Sequence, residues 1–368
     1  MTDYTDQASK KEDSNSAEKS TNNKSAGTFP KSDEKWKREV SKFKDEVEKP
    51  KQRGENNRIK QGRKFSSNKA KIKYILQPLE DVVLNPALLD EIIVKYSIPE
   101  LLQGKEPSYS GAILFGPPGT GKTVLQKALG EVYSRAEAYS TDKSFAQINS
   151  HFVNDFAQNL EKVLEVALVE AKKRKKPSFV SFDEASILVQ AAEEGAETFS
   201  KGYQEAIDIL KRYIGNYREL VLSVSTNLSP DSFEEALTRE GRLATFFIDY
   251  PKVEERARLW QHFLGKYKVL DNLNGQQFLT LAEITPAEQG AFIEEFCRNY
   301  KGHVRTELLK SKGYFTLIDA LKNRANISMK EVGEAINYNS LVKDVDAFVQ
   351  RKLDKNITTE KQKQIKGF

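Results

Sequence analysis

The sequence contains very little cysteine and histidine. Cys297 is the one cysteine in 368 residues, which excludes an internal disulfide and a cysteine-based zinc site. The three histidines, His151, His262 and His303, lie far apart and match neither the spacing of zinc ligands nor the H-E-x-x-H pattern of a metalloprotease. We therefore expect ordinary surface or core histidines and a reducing compartment, most simply the cytoplasm.

Long apolar runs are also missing. No segment approaches the roughly 18 consecutive apolar residues of a membrane-spanning helix, and the N-terminus is polar from Thr2 onward. Neither membrane insertion nor a secretory signal is therefore expected. The hydrophobic content of 38%, with 10% aromatic residues, is nevertheless enough to fill the cores of two or three domains.

The positive charge is modest but unevenly placed. The net charge is +5, yet residues 51–73 contain nine lysines and arginines against a single acid, Glu55. Such a block can neutralise the phosphates of a nucleic acid, and it can equally be a solvated linker. Both interpretations stay open at this point.

The first 71 residues are predicted to be a tail. Residues 1–32 have almost no large apolar side chain to offset the entropy of ordering a backbone, so they are predicted to be disordered. Within residues 33–49, the apolar residues Trp36, Val40, Phe43 and Val47 recur at helical spacing. This short amphipathic helix is too short to be stable alone. It either packs on its own body or binds a partner.

Glycines follow a short apolar run in the middle of the chain. Residues 111–123 read GAILFGPPGTGKT, and all eight positions of the pattern G-x-x-x-x-G-K-[ST] are filled. The pattern predicts a strand, a phosphate-binding loop and a helix whose N-terminal N–H groups point at one concavity. Lys122 would contact the β- and γ-phosphates of a nucleotide, and the Thr123 hydroxyl would be a ligand of Mg²⁺.

A second apolar run ends in two acids. Residues 177–184 read PSFVSFDE, which is typical of a buried parallel strand that delivers carboxylates at its carboxyl end. Asp183 would hold Mg²⁺ through water, and Glu184 would polarise the attacking water.

The surrounding pattern alternates between strands and helices. We predict helices at 86–96, 122–134, 160–173 and 203–217, strands at 112–115, 145–148, 177–182 and 220–226, and a mobile loop at 191–201. The fold class is therefore α/β: a parallel sheet covered by helices on both faces at residues 72–251, followed by a helical domain at residues 252–368.

These motifs together resemble the AAA family of ATPases. Residues 111–128 are similar to the family's phosphate loop, and residues 177–188 resemble its Walker B segment. Asn227 falls on the sensor position after the fourth strand, and Arg239 and Arg242 match the arginine fingers. Residues 285–297, with Gly290 and Ala291 at their centre, look like the lid segment that closes over adenosine.

The resemblance implies a site for ATP and Mg²⁺. The implied catalytic residues are Glu184, Asn227, Arg239 and Arg242, and the implied metal ligands are Thr123 and Asp183. The implied nucleotide-binding residues are Gly116, Pro117, Pro118, Gly119, Thr120, Gly121, Lys122, Thr123, Val124, Gly290 and Ala291.

The resemblance also implies an assembly. In the family the arginines act on the neighbouring subunit's nucleotide, so a homo-oligomeric ring, usually of six subunits, is expected. Residues 152–157 align with the family's central pore loop, which makes Phe156 and Ala157 candidates for gripping a polypeptide. Phe156 as an ordinary helix-packing residue stays the alternative.

Two functions follow from these expectations. The first is a remodelling ATPase that acts on a protein substrate or adaptor reached through the tail and the pore. The second is an ATPase associated with nucleic acid, which would use the basic linker as its contact surface.

Overall fold

The structure is a computed structural model. It describes residues 66–148, 153–185, 197–228, 235–238, 242–270, 273–286, 290–314, 316–323 and 327–365. The expectations for residues 1–65, including the amphipathic helix at 33–49, lie outside the described residues.

The described residues contain a five-stranded parallel sheet. Its strands are β1 (Gly111–Phe115), β2 (Ser140–Ser144), β3 (Ser178–Asp183), β4 (Leu220–Thr226) and β5 (Ala244–Phe247). Their spatial order is β2-β3-β4-β1-β5, and every neighbouring pair is parallel. The predicted α/β fold class is therefore confirmed.

Helices connect and cover these strands. Up to β5 they are α1 (Asn68–Glu80), α2 (Pro86–Lys95), α3 (Ile98–Gln103), α4 (Lys122–Arg135), α5 (Phe145–Ile148), α6 (Val153–Arg174), α7 (Glu197–Asn216) and α8 (Glu235–Thr238). The predicted helix at 86–96 is confirmed with its cap, since the Asn85 side chain accepts hydrogen bonds from the N–H groups of Ala87 and Leu88. One apolar core packs the four helices α1, α2, α3 and α4 against one face of the sheet.

After β5, the regular elements of the described residues are all helices. They are α9 (Val253–Lys266), α10 (Gly275–Glu283), α11 (Gly290–Ser311), α12 (Leu317–Lys322), α13 (Met329–Ala335) and α14 (Tyr338–Ile365). Helices α9, α10, α11, α13 and α14 contribute to a separate apolar core that includes Trp260, Phe296 and Tyr300. Among the described residues, none of the helices combines the length and apolarity needed to cross a membrane.

The sheet brings three chain segments together on the side where its strands end. Phe115 at the end of β1 lies opposite Thr226 at the end of β4, and Phe182 of β3 lies opposite Val224 of β4. Because all the strands are parallel, their carboxyl ends lie on the same side of the sheet. The glycine-rich loop, the two acids and Asn227 are therefore all located on that side.

One sequence prediction for the sheet was wrong, and one strand was missed. The second strand is Ser140–Ser144, whereas residues 145–148 form the short helix α5. This strand lies at the edge of the sheet, where half-buried polar residues suffice, so it lacks an apolar run. Strand β5, at the opposite edge, was missed because it has only four residues.

The N-terminal parts of two other elements also differ. Helix α7 begins at Glu197, so the predicted loop at 191–201 is wrong from that residue onward. Residues 191–196 lie outside the described part of the chain. Helix α1 begins at Asn68, where the Ser67 side chain caps it, and it crosses the predicted boundary at residue 72.

Gly111 offers a test of the register between β1 and β4. Its φ is +110°, and a Cβ there would lie 1.8 Å from the carbonyl oxygen of Leu222, whereas Gly104 has a φ of +67° and open space around it. We expect Gly104→Ala to lower the free energy of unfolding by about 1 kcal/mol through backbone strain alone. Gly111→Ala should cost at least about 3 kcal/mol, because the clashing atom is backbone in the adjacent strand. Equal losses in urea unfolding would contradict this packing.

Candidate active site

The loop between β1 and α4 has the conformation of a phosphate cradle. Gly116, Gly119 and Gly121 have φ angles of 141°, 79° and 95°. A Cβ at Gly116 would lie 2.3 Å from the carbonyl oxygen of Ile248, so only glycine fits there. Gly121 caps α4 without a side-chain hydrogen bond, which leaves the first N–H groups of the helix available to an anion.

Lys122 folds back over this loop. Its Nζ lies 2.7 Å from the carbonyl oxygen of Gly116 and 2.6 Å from that of Pro117. The residue is only 7% exposed. Burial lowers the pKa of the ammonium, and the negative charge of Asp183 opposes that effect. The cation is therefore held beside the loop, where phosphates would lie.

Thr123 and Asp183 meet across two elements. The Thr123 hydroxyl, on the first turn of α4, donates to Oδ2 of Asp183 over 2.8 Å. The other carboxylate oxygen, Oδ1, accepts from the N–H of Glu184 over 3.0 Å and from the hydroxyl of Ser225. A hydroxyl and a carboxylate side by side are the oxygen ligands that Mg²⁺ prefers, so this donor set fits the expected ion.

Glu184 follows Asp183 with a φ of +62°. A non-glycine residue in this region costs about 1–3 kcal/mol, and such strain is concentrated at functional sites. Glu184 is exposed and lines a cavity together with Asn227. Both side chains are thus available to a ligand near the phosphate loop.

This cavity lies between the sheet and the C-terminal helices. Its volume is about 390 Å³, within the range of small-molecule sites. One end is formed by the phosphate loop and the acids; elsewhere it is lined by apolar groups that include Val82, Leu84, Leu259 and Phe263. The cavity has a charged part for phosphates and apolar surface for a base.

The first residues of α11 close the cavity against the loop. Gly290 and Ala291, at the centre of the predicted lid segment, line it. A Cβ at Gly290 would lie 3.2 Å from a ring carbon of Pro251 and 3.7 Å from the carbonyl oxygen of Gly119. The distance to Gly119 is ordinary van der Waals contact, so the start of α11 lies beside the phosphate loop, and the tighter contact is the one with Pro251.

The two predicted arginine fingers differ in what the structure describes. Arg242, just before β5, is half-buried and does not line the cavity. Arg239 lies outside the described residues.

The pore-loop interpretation does not fit the packing. Phe156 is 1% exposed, and its ring centroid lies 5.7 Å from that of Phe145. Ala157 is buried as well. Both side chains face the core, so they cannot contact a polypeptide in this conformation, and Phe156 instead occupies the helix-packing position left open as the alternative.

Sequence reasoning missed Ser225, whose hydroxyl contacts Asp183. The signal was available, because Ser223 and Ser225 stand at alternate positions among the apolar residues of a buried strand. Alternate residues of a strand share one face, so these hydroxyls point to the same side of β4.

Residues 112–249 match the family model described as the ATPase family associated with various cellular activities (AAA). Among curated relatives, fidgetin-like protein 1 of Drosophila melanogaster is 26% identical over 57% of this chain and 38% of its own length. Proteasome-activating nucleotidase of Saccharolobus solfataricus is 26% identical over 72% of this chain and 59% of its own. Human vacuolar protein sorting-associated protein 4A is 26% identical over 58% and 46%.

The chain thus spans less than two thirds of the length of each of these relatives. The family match covers all five strands of the sheet apart from Gly111 of β1, together with the phosphate loop and both acids. Residues 112–249 thus form a domain that matches the AAA family of ATPases.

Proposed function

We propose that this protein is an ATP-hydrolysing remodelling ATPase that acts as a ring on a protein substrate or assembly. The observation that carries the hydrolytic part is the contact between Thr123 and Asp183, 2.8 Å apart at the edge of a cavity bounded by a phosphate loop and a lid. This is the arrangement that nucleotide hydrolysis with Mg²⁺ requires.

The residues around the contact divide the chemistry between them. The loop N–H groups and Lys122 bind the phosphates, and Thr123 and Asp183 would hold Mg²⁺, which supplies charge neutralisation at the phosphates when bound. Glu184 polarises the attacking water as a general base, and Asn227 orients that water by hydrogen bonding. Val124, which is 58% exposed beside the loop, covers the nucleotide.

The ring is inferred from the arginines. Arg242 does not line the cavity of its own chain, which is consistent with a role at a neighbour's nucleotide. An arginine supplied in trans stabilises charge in the transition state, and it makes hydrolysis depend on assembly. We propose a homo-oligomer, of six subunits by analogy with the family, in which Arg239 and Arg242 act across the interface.

A protein target is inferred from the relatives. The name of one of them, proteasome-activating nucleotidase, states an action on a protein assembly. In our proposal the tail, residues 1–71, recruits the substrate or an adaptor. Gripping by Phe156 and Ala157 is not part of the proposal, because both are buried.

Lys122→Ala tests nucleotide binding. The variant loses the ammonium that meets the β- and γ-phosphates, so we expect ATP affinity to fall at least about tenfold, as for loss of a charge-assisted hydrogen bond. Lys127→Ala, an exposed position on the same helix, is the matched control. Equal ATP affinity of the two variants in equilibrium titration would contradict the site.

Glu184→Gln tests the catalytic step. Without the general base, ATP turnover should fall at least about 100-fold while ATP affinity stays unchanged. The exposed residue Glu254, changed to Gln, serves as the control for a lost surface carboxylate. If affinity and turnover fell together in Glu184→Gln, Glu184 would have a structural role instead.

Arg239→Ala tests the ring. Each subunit should still bind ATP, but turnover should fall by about 10³-fold, as for a missing arginine finger. Mixing with Glu184→Gln subunits should restore activity, because some junctions then pair an intact Glu184 with an intact Arg239 of the neighbour. Turnover per subunit that is independent of dilution, with no rescue on mixing, would rule out action in trans.

A further inference from the structure

A buried amide joins helix α4 to two strands of the sheet. Gln126 is 1% exposed, and its Nε2 lies 3.3 Å from the carbonyl oxygen of Phe182 in β3. The same nitrogen lies 3.1 Å from the carbonyl oxygen of Ser223 in β4 and 3.1 Å from its hydroxyl. One side chain therefore links the helix that follows the phosphate loop to two adjacent strands.

The orientation of this amide is fixed by chemistry. Carbonyl oxygens only accept hydrogen bonds, so the amino group of Gln126 must face Phe182 and Ser223. Its Oε1 is buried and has no hydrogen-bond partner among the described residues. An unsatisfied buried acceptor costs about 1–3 kcal/mol, which an apolar side chain of similar size would avoid. The two backbone contacts are therefore retained despite a cost in stability.

The position of Gln126 relates it to the metal-binding pair. Gln126 lies three residues after Thr123 on α4, so the two residues are neighbours on successive turns. Phe182 immediately precedes Asp183 on β3. The contact between Gln126 and Phe182 thus lies one helical turn and one strand residue from the contact between Thr123 and Asp183.

Two buried tyrosines extend the hydrogen bonding around Ser223, one of the residues that accept from Gln126. The hydroxyl of Tyr96 lies 2.8 Å from that of Ser223 and donates to the carbonyl oxygen of Ala112 over 3.2 Å. Tyr133, on α4, donates to the carbonyl oxygen of Tyr96 over 2.6 Å. Burial raises the pKa of both phenols, so both stay protonated. The link is therefore part of a rigid polar network between α2, α4, β1 and β4.

The second strand of the link also contacts Asp183 directly. Ser225, two residues after Ser223 and on the same face of β4, donates its hydroxyl to Oδ1 of Asp183. Gln126 fixes α4 and β3 relative to β4, and Ser225 fixes the carboxylate relative to β4. Strand β4 therefore positions both proposed metal-binding groups, Thr123 through α4 and Asp183 through Ser225.

We propose that Gln126 is a positioning residue that sets the distance between Thr123 and Asp183 for Mg²⁺. It does not touch nucleotide or metal; it acts by holding the first turn of α4 in register with the end of β3. The inference rests on the proposed function of this pair as metal ligands. It predicts that losing the amide weakens the metal-dependent part of nucleotide binding and leaves the metal-independent part in place.

Gln126→Met in the full chain tests the inference. Methionine has a similar length and cannot donate to the two carbonyl oxygens. We expect ATP affinity in EDTA to stay within about twofold of wild type, since the loop and Lys122 are intact. The Mg²⁺ concentration that half-saturates the ATP-bound protein should rise about 10- to 100-fold, as for loss of an outer-shell partner of a metal ligand. Leu129→Met, a buried change on the same helix, should leave this midpoint unchanged.

Melting temperatures in EDTA separate this effect from destabilisation. Gln126→Asn, which keeps the amide on a shorter chain, should shift the Mg²⁺ midpoint by less than Gln126→Met does, and it replaces that variant if methionine prevents folding. A lower melting temperature with an unchanged midpoint in either variant would overturn the inference, and so would an equal shift in Leu129→Met. If ATP binding by the wild-type protein did not depend on Mg²⁺, the proposed metal site itself would be contradicted, and this inference with it.

Discussion

The contact between the first turn of α4 and the carboxyl end of β3 is the constraint on which the rest of the site depends. Thr123 and Asp183 are 60 residues apart in the sequence, yet their side chains lie 2.8 Å apart. The distance is set by the parallel sheet, which aligns the carboxyl ends of β1, β3 and β4, and by the packing of α4 on those strands. A small displacement of α4 would separate the Thr123 hydroxyl from the Asp183 carboxylate.

That constraint explains why polar groups occupy an apolar interior. Gln126, Ser223 and Ser225 are each about 1% exposed or less, at positions where aliphatic residues would pack without a desolvation cost. Their hydrogen bonds specify one arrangement of helix and strands, whereas apolar contacts tolerate sliding. In this account the chain accepts a less stable core in return for a defined metal-binding geometry.

Much of the fold could be predicted because the strongest signals are local. The glycines at 116, 119 and 121 predict a tight loop, and their positive φ angles agree with it; the acids at 183 and 184 mark the end of the buried strand β3. The polar strand β2 could not be predicted so easily, because its place at the sheet edge depends on pairing with β3, a long-range contact. The burial of Phe156 depends equally on its partner Phe145 and on how α6 packs, and a local alignment with a pore loop includes neither.

The arrangement of Gln126 was also beyond a local pattern. A glutamine on the buried, apolar face of a helix has no evident role in the sequence alone. Its role depends on the carbonyl oxygens of Phe182 and Ser223, which accept hydrogen bonds from it. Those acceptors belong to the backbone, which carries no sequence signal. The apolar lining at Val82, Leu84 and Phe263 is likewise assembled from segments on both sides of the domain boundary.

The central claim is that this cavity hydrolyses ATP with Mg²⁺, and phosphate release by the full chain tests it most directly. The measurement follows inorganic phosphate from ATP over a range of protein concentrations, with Mg²⁺ and with EDTA. Our account predicts steady release that requires Mg²⁺ and rises more steeply than protein concentration as subunits assemble. Release equal to buffer alone at every concentration, or release that EDTA leaves unchanged, would contradict it.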